Sequence, residues 1–263
     1  TPLYSSAASD VYKRQLYPNL NIEDPVWRQV FRDVRFRRAL SLALNRQEVN
    51  KVLFYGLAVP GNNTLLPESP LSGDDLRNRW ATFDLVKANA LLDEMGLKRD
   101  ADGIRRLPDG RPLEIIVETA GESSEETDVL QLVHDSWLKA GIKLFSRPLQ
   151  REVLRNRIFA GSTQMSVWSG LENGLATPAM SPAELAPTSQ QQLQWPKWGQ
   201  HYEAAGNAGE PIDMAEAREL MDLYKSWRNA GSTAEKEKIW RRMLEIHADQ
   251  VFNIGIVSGI LQP

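Results

Sequence analysis

The stretch MSVWSGLENG, residues 165–174, joins an apolar run that ends in tryptophan to a loop with glycines, a serine and a carboxylate. A tryptophan commonly buries its ring in a core, where its N–H needs a hydrogen-bond partner. At the end of a strand in an α/β sheet, the same ring can form the wall of a ligand cleft and stack on a ligand. The pattern favours the cleft, with Trp168, Ser169, Gly170 and Glu172 as candidate ligand-binding residues.

A second aromatic cluster, LQWPKWGQHY, lies in a stretch rich in proline, glutamine and glycine, residues 169–211. Structureless loops of this length are uncommon inside compact domains and are often functional. Trp195 and Trp198, with Gln194 and Gln200 beside them, could stack on and hydrogen-bond to a sugar or a peptide. Alternatively, the two indole rings hold the loop against the rest of the chain.

The sequence contains no arrangement of side chains that indicates catalysis or metal binding. The three histidines, His134, His201 and His247, lie on two predicted helices and a loop, without the spacing of a shared metal site. We expect His134 and His247 to be partly exposed helix residues. No nucleophile elbow, phosphate-binding loop or zinc-protease motif occurs. The sequence therefore predicts no enzyme activity, no cofactor and no metal.

Composition narrows the class further. The chain has 263 residues, with 42% hydrophobic and 25% charged residues and a net charge of −3. These values are ordinary for a globular chain and give no basic surface for nucleic acid. No apolar run is long enough to span a bilayer, so we expect no direct membrane insertion. Cysteine is absent, which removes disulfides and cysteine nucleophiles.

The elements that must position the tryptophan alternate between strand and helix. Residues 113–119 and 142–149 are apolar and β-branched, and they flank a helix whose start, Ser123 with Glu126, is spaced as a capping box. A further helix leads into the strand at 164–167. This order predicts parallel strands in one sheet flanked by helices.

Other helix boundaries are marked by side chains that cap helices. Asp33 and Asn45 precede helical patterns, because their side-chain oxygens can accept from free backbone N–H groups. Late in the chain we predict helices at 213–229 and 233–249, followed by a strand at 251–257.

Residues 31–63, FRDVRFRRALSLALNRQEVNKVLFYGLAVPGNN, resemble a pattern of family 5 solute-binding proteins of ABC transporters, the dipeptide-, oligopeptide- and nickel-binding group. Three later stretches resemble the same family in the same order: DLVKANALLDEMGL, DGRPLEIIVET and DSWLKAGIKLFSRPL. Each motif alone is loose, but their order makes the resemblance specific. Where the family usually has aspartate before arginine, this chain has Asn45, which can still cap the next helix.

The resemblance implies an α/β fold, the large lobe of a periplasmic-binding-protein-like (type II) bilobed fold with a mixed sheet flanked by helices. Residues 16–250 would form the second large lobe, and residues 251–263 would begin the return strand toward the first lobe. Residues 1–15, TPLYSSAASDVYKRQ, have neither the apolar centre of a signal peptide nor helical periodicity. We interpret them as a non-native scar resembling a translated sequencing adapter.

The implied function is an extracytoplasmic receptor of an ABC importer, periplasmic or lipid-anchored, that closes two lobes around a small solute. A peptide is the first ligand expected, and an oligosaccharide or an opine-like solute is the alternative. In the peptide binders an aspartate just after the aromatic can pair with the ligand's amino terminus; here Glu172 corresponds only by proximity. The implied protein partners are ABC permease subunits.

Two other classes compete with this interpretation. The chain could be an α/β enzyme domain that shares its active site with another domain. It could also be an interaction module that presents residues 169–211 to a protein partner.

Overall fold

The computed structural model describes residues 14–121, 123–171 and 174–260. Its strands are β1 (Arg14–Pro18), β2 (Ala58–Pro60), β3 (Glu114–Thr119), β4 (Lys143–Pro148), β5 (Met165–Trp168) and β6 (Ile254–Ile260). They form one 6-stranded sheet in the order β2-β6-β1-β5-β3-β4. Strands β5, β3 and β4 are parallel, whereas β1 is antiparallel to β5 and β6, and β2 is antiparallel to β6. The sheet is therefore mixed, as the resemblance implies.

Helices flank this sheet. They are α1 (Pro25–Arg32), α2 (Val34–Leu42), α3 (Arg46–Leu53), α4 (Asp74–Asn78), α5 (Leu85–Glu94), α6 (Ser124–Leu138), α7 (Arg151–Ala160), α8 (Pro196–Glu203), α9 (Ala215–Asn229) and α10 (Thr233–Gln250). One contiguous cluster of buried apolar side chains joins the strands to most of these helices. Burial of this surface supplies the main driving force for folding.

The predicted strand–helix–strand order is confirmed. Ile115 of β3 pairs with Leu144 of β4, and Val117 of β3 pairs with Met165 of β5. All four side chains are buried. Parallel strands are usually covered on both faces, and their sequences are therefore nearly continuous apolar runs. Strands β3, β4 and β5 therefore end at the same edge of the sheet.

The helix starts agree with the capping side chains predicted from the sequence. Asp33 accepts a hydrogen bond from the backbone N–H of Arg35 at 2.9 Å, at the start of α2. Asn45 accepts from the N–H of Glu48 at 3.2 Å, at the start of α3. Ser123 caps α6 in the same way. Each cap satisfies a backbone donor that the helix itself leaves unpaired.

Arg46, in the motif that carries the family resemblance, is a buried structural residue. Its guanidinium donates to the carbonyl oxygens of Ser41 at 2.7 Å, Ala81 at 3.0 Å and Gly255 at 2.7 Å. Burial lowers the pKa of Arg46 to about 9, which leaves it charged at neutral pH. These bonds tie the end of α2 and the start of α3 to β6.

The N-terminal boundary of the fold differs from our expectation for residues 1–15. Arg14 and Gln15 belong to β1, and Gln15 pairs with Trp168 at the end of β5. The sequence does not indicate this strand because its partners lie far along the chain. Residues 1–13 lie outside the described residues, and their origin as a scar stays a prediction.

The last strand also belongs to this sheet. β6 lies between β1 and β2, and the return of residues 251–263 toward another lobe stays a prediction. Val251 adopts a left-handed conformation at the end of α10, and the strand begins at Ile254. The strand is therefore an integral part of the fold up to residue 260.

The stretch 169–211 is not a structureless loop. It contains a short 3₁₀ helix, Ala183–Leu185, and the helix α8, which begins at Pro196. Proline is favourable in the first turn of a helix, because its missing N–H would have no partner there. The prolines that suggested a loop therefore include one that starts a helix.

Candidate functional site

Trp168 ends β5 and leaves the core at that point. The three preceding residues of the strand are buried, whereas the Trp168 side chain is 44% exposed. A strand alternates its side chains between two faces, and the chain turns away from the sheet after this residue. The indole ring therefore stands at the edge where the parallel strands end.

A cavity of about 520 Å³ opens beside Trp168. Its walls come from the end of β5 and the loop after it, from α7, from the segment around the 3₁₀ helix, and from four isolated positions. The lining residues are Tyr17, Asn63, Arg151, Leu154, Arg155, Ile158, Phe159, residues 166–171, Ala183, Glu184, Thr188, Ser189, residues 191–194, His247 and Asn253. This size falls within the range of small-molecule sites.

The loop after β5 is held by hydrogen bonds from two other parts of the chain. The Tyr17 hydroxyl, on β1, donates to the carbonyl oxygen of Ser169 at 2.6 Å. The side-chain oxygen of Asn63 accepts from the N–H of Leu171 at 3.4 Å. These contacts fix the backbone on both sides of Gly170 at the cavity wall.

Helix α7, which forms another wall, is tied to the sheet by a buried carboxylate. Glu118 of β3 accepts two hydrogen bonds from Arg157 of α7, at 2.7 and 2.8 Å, and one from Arg147 of β4 at 3.1 Å. The hydrogen bonds that Arg157 donates to the Glu118 carboxylate raise the pKa of Arg157. Bidentate pairing of this kind fixes geometry as well as charge. The wall formed by α7 therefore has a defined position relative to β3.

The segment opposite α7 is organised by one glutamine, Gln192. Its side-chain oxygen accepts from the N–H groups of Thr188 at 2.9 Å and Ser189 at 3.1 Å, and from the indole of Trp195 at 2.9 Å. Its side-chain nitrogen donates to three backbone carbonyls of residues 183–186, at 2.8 to 3.2 Å. The amide uses its full hydrogen-bonding capacity to close this segment.

Trp195 and Trp198 do not lie in the cavity wall, contrary to their assignment as ligand-binding residues. Both side chains are 0% exposed, and their rings stack with centroids 6.3 Å apart. The rings of Trp195 and Phe252 pack edge to face, with their centroids 5.1 Å apart. They instead agree with the alternative interpretation, in which the two indole rings hold residues 169–211 against the rest of the chain. A sequence motif of aromatics and amides cannot distinguish a buried stack from an exposed one.

Among the other predicted site residues, Trp168, Ser169 and Gly170 come together at this cavity. Glu172 lies outside the described residues. Of the two glutamines beside the aromatic cluster, Gln194 lines the cavity, whereas Gln200 lies on α8 and is not among the lining residues.

His247 differs from its prediction as a partly exposed helix residue. It is 6% exposed, lines the cavity, and donates from Nε2 to the carbonyl oxygen of Leu185 at 2.7 Å. Burial lowers the pKa of His247 to about 4, so the ring is neutral at physiological pH. His134 agrees with its prediction: it is half-buried on α6, with Nδ1 2.9 Å from the Leu144 carbonyl oxygen.

Asn253 is a cavity residue that the sequence did not indicate. It is almost completely buried between the end of α10 and β6. It lines the same cavity as Gln194 and His247 through packing between segments that are far apart in sequence. No local pattern identifies such a residue.

Among the described residues, neither a metal-binding cluster nor a membrane-spanning helix is present. Residues 14–121, 123–171 and 174–260 bring together no group of three or more His, Asp or Glu side chains able to hold a metal ion. Over the same ranges, no helix has both the length and the apolar character needed to cross a bilayer.

Comparison with known proteins agrees with this architecture. A periplasmic alpha-galactoside-binding protein of Rhizobium meliloti (strain 1021) is 22% identical over 240 residues, which is 88% of this chain and 33% of that protein. An oligopeptide-binding protein OppA of Lactococcus lactis subsp. lactis is 29% identical over 127 residues, 48% of this chain and 21% of that protein. This chain therefore spans a third or less of the length of these two relatives.

A solved oligopeptide-binding protein OppA superposes with a TM-score of 0.83 at 31% identity, over 95% of this chain and 42% of that chain. The family model of bacterial extracellular solute-binding proteins, family 5 Middle, matches residues 4–192. The match includes β1, the parallel strands and the cavity wall formed by residues 166–171. This chain belongs to the bacterial extracellular solute-binding proteins of family 5.

Proposed function

We propose that this chain forms one lobe of an extracytoplasmic solute-binding receptor that delivers its ligand to an ABC importer. The observation that carries the proposal is the open cavity at the end of the parallel strands, with Trp168 at its mouth. In open α/β sheets, ligands commonly bind beyond the carboxyl ends of the strands. Trp168 lines the cavity and is exposed to solvent, so this wall is accessible to a second lobe that would close over it.

The sheet supports the position of that second lobe. Arg14, at the start of β1, pairs with Val257 of β6, and Gln15 pairs with Trp168. The first described strand therefore starts, and the last one ends, at the edge where Trp168 stands. A second lobe connected to these two strands would lie beside the cavity. A ligand that contacts both lobes would stabilise their closed arrangement.

The ligand in this proposal is a small solute, either a peptide or an oligosaccharide. The relatives' names include binders of both classes. The protein partners would be ABC permease subunits, and the location would be the periplasm or the outer face of a membrane through a lipid anchor. We propose that the receptor releases its ligand chemically unchanged and is not an enzyme.

Calorimetric titration of the full-length receptor with short peptides and oligosaccharides tests this proposal. We expect saturable binding of at least one solute, weakened by Trp168→Ala, and recovery of the same solute by mass spectrometry. The 263-residue chain alone should bind the same solute weakly, because one lobe cannot enclose and desolvate it. A chemically altered solute would instead favour the enzyme interpretation.

A further inference from the structure

Two buried amides at the cavity have no hydrogen-bond partner in the part of the chain that the structure describes. The side chains of Gln194 and Asn253 are 4% and 5% exposed, and both line the cavity. The side-chain oxygen of Gln194 is fully enclosed and accepts no hydrogen bond. Buried polar groups in proteins nearly always have partners, and exceptions call for a reason.

Gln192, two residues before Gln194, has a side-chain amide whose hydrogen bonds are all made within this segment. Gln192 bonds to six backbone or indole groups, whereas the Gln194 side chain bonds to none among the described residues. The last side-chain torsion of glutamine has a broad energy minimum, so the Gln194 amide can adjust to a molecule in the cavity that it lines. The unused amides therefore provide hydrogen-bonding groups for a molecule in the cavity.

The polar side chains in the deep part of the cavity are uncharged. Ser166 is buried next to the end of β5, and His247 is held neutral by its burial. The arginines in the wall, Arg151 and Arg155, are exposed on α7, and Glu184 is half-buried. A charged group that entered the deep part would lose its hydration without gaining an opposite charge there.

We infer that the deep part of this cavity, formed by Ser166, Gln194 and Asn253, is a subsite for the uncharged, polyhydroxylated ring of a saccharide. This inference rests on the proposed function and names the class of its ligand. Each sugar hydroxyl both donates and accepts, which matches amides that present a donor and an acceptor. The carbon face of the ring can pack on the exposed indole of Trp168, while a zwitterionic peptide would need charged partners at its termini.

A pair of matched substitutions in the full-length receptor tests the subsite. Gln194→Met keeps the volume of the side chain and removes its amide, and Gln192→Met makes the same change in the satisfied amide. Affinity is measured by calorimetry with raffinose and maltotriose, and with tri-alanine and penta-alanine as the peptide probes. Thermal unfolding is measured in parallel.

We expect at least one saccharide to bind, and Gln194→Met to weaken that binding at least tenfold without lowering the melting temperature. Gln192→Met should lower the melting temperature, because it removes the hydrogen bonds that the Gln192 amide makes to six groups. Asn253→Ser, a smaller change that keeps a polar group, should weaken saccharide binding by a similar factor. If Gln194→Met does not fold, the saccharide affinity of Asn253→Ser tests the subsite.

The other outcomes overturn the inference in distinguishable ways. If only the alanine peptides bind, and Trp168→Ala weakens them, the proposed receptor stands and the saccharide subsite is wrong. If a saccharide binds equally well to the wild type, Gln194→Met and Asn253→Ser, the subsite is also wrong. If none of the probes binds, the proposed function fails and the inference fails with it.

Discussion

The hydroxyl of Tyr17 donates a 2.6 Å hydrogen bond to the carbonyl oxygen of Ser169, and so connects β1 to the residue directly after β5. Tyr17→Phe removes this bond and leaves the carbonyl without that donor. We expect a loss of about 1 kcal/mol in the free energy of unfolding, measured by urea denaturation. Ligand affinity should fall too, because Ser169 lies in the cavity wall. Tyr55→Phe, at a tyrosine that is exposed to solvent, is the control and should change neither quantity.

Substitutions of Trp168 and Trp195 should affect different quantities, ligand affinity for Trp168 and folding stability for Trp195. In the full-length receptor, Trp168→Ala should weaken ligand binding more than it destabilises the lobe, since the ring is already part exposed. Trp195→Ala should cost about 3–5 kcal/mol of folding stability, because it opens a cavity in the core. Denaturant midpoints and dissociation constants measure the two effects. A Trp168→Ala protein that binds normally but unfolds early would remove Trp168 from the site.

His247 should make stability depend on pH in the acid range. Its pKa in the folded protein is about 4, below the ordinary value of 6.5, because burial disfavours the charged ring. Between these values the unfolded chain binds a proton that the folded chain does not. The free energy of unfolding should therefore fall as pH falls from 6.5 to 4, by at most about 1.4 kcal/mol per pH unit from this group.

His247→Gln isolates this contribution, because glutamine can still donate to Leu185 but does not titrate. We expect the variant to lose stability less steeply than the wild type between pH 6.5 and 4, as measured by urea unfolding at several pH values. Parallel slopes in the two proteins would show that His247 is not the group responsible. His201→Gln, at a histidine on the surface of α8, serves as the control.

Arg46 should tolerate no replacement, not even by lysine. Its planar guanidinium reaches three carbonyl oxygens at once, and an ammonium group cannot reproduce that geometry. We expect Arg46→Lys to lower the free energy of unfolding by more than about 2 kcal/mol. Arg242→Lys, at a surface ion pair with Glu219, should change it by less than about 1 kcal/mol. Equal effects at the two positions would contradict a structural role for Arg46.

Much of the fold could be predicted because its signals are local. The caps at Asp33, Asn45 and Ser123 lie within three residues of the donors that they satisfy. The parallel strands follow from apolar runs separated by one amphipathic helix. By contrast, β1 and the exact start of β6 depend on partners more than a hundred residues away. Long-range pairing leaves little trace in a short window of sequence.

The candidate site was only partly predictable, for a related reason. Trp168 could be identified because the end of a strand is visible in the sequence. The burial of Trp195 and the place of Asn253 in the cavity wall depend on which distant elements these residues pack against. Burial also made His247 a neutral cavity residue, although its helical surroundings suggested partial exposure. Sequence patterns locate side chains along an element more reliably than they establish what covers them.

The strand order has a consequence for how the chain reaches its folded state. β1, near the start of the sequence, is paired on one side by residues 165–168 and on the other by residues 254–257. During synthesis it therefore has no strand beside it until β5 has been made, and chains with such distant pairings fold slowly. We expect nascent chains stalled before β6 to be digested readily by protease and longer ones to resist. In the interval, the unpaired edges of β1 are available to a chaperone.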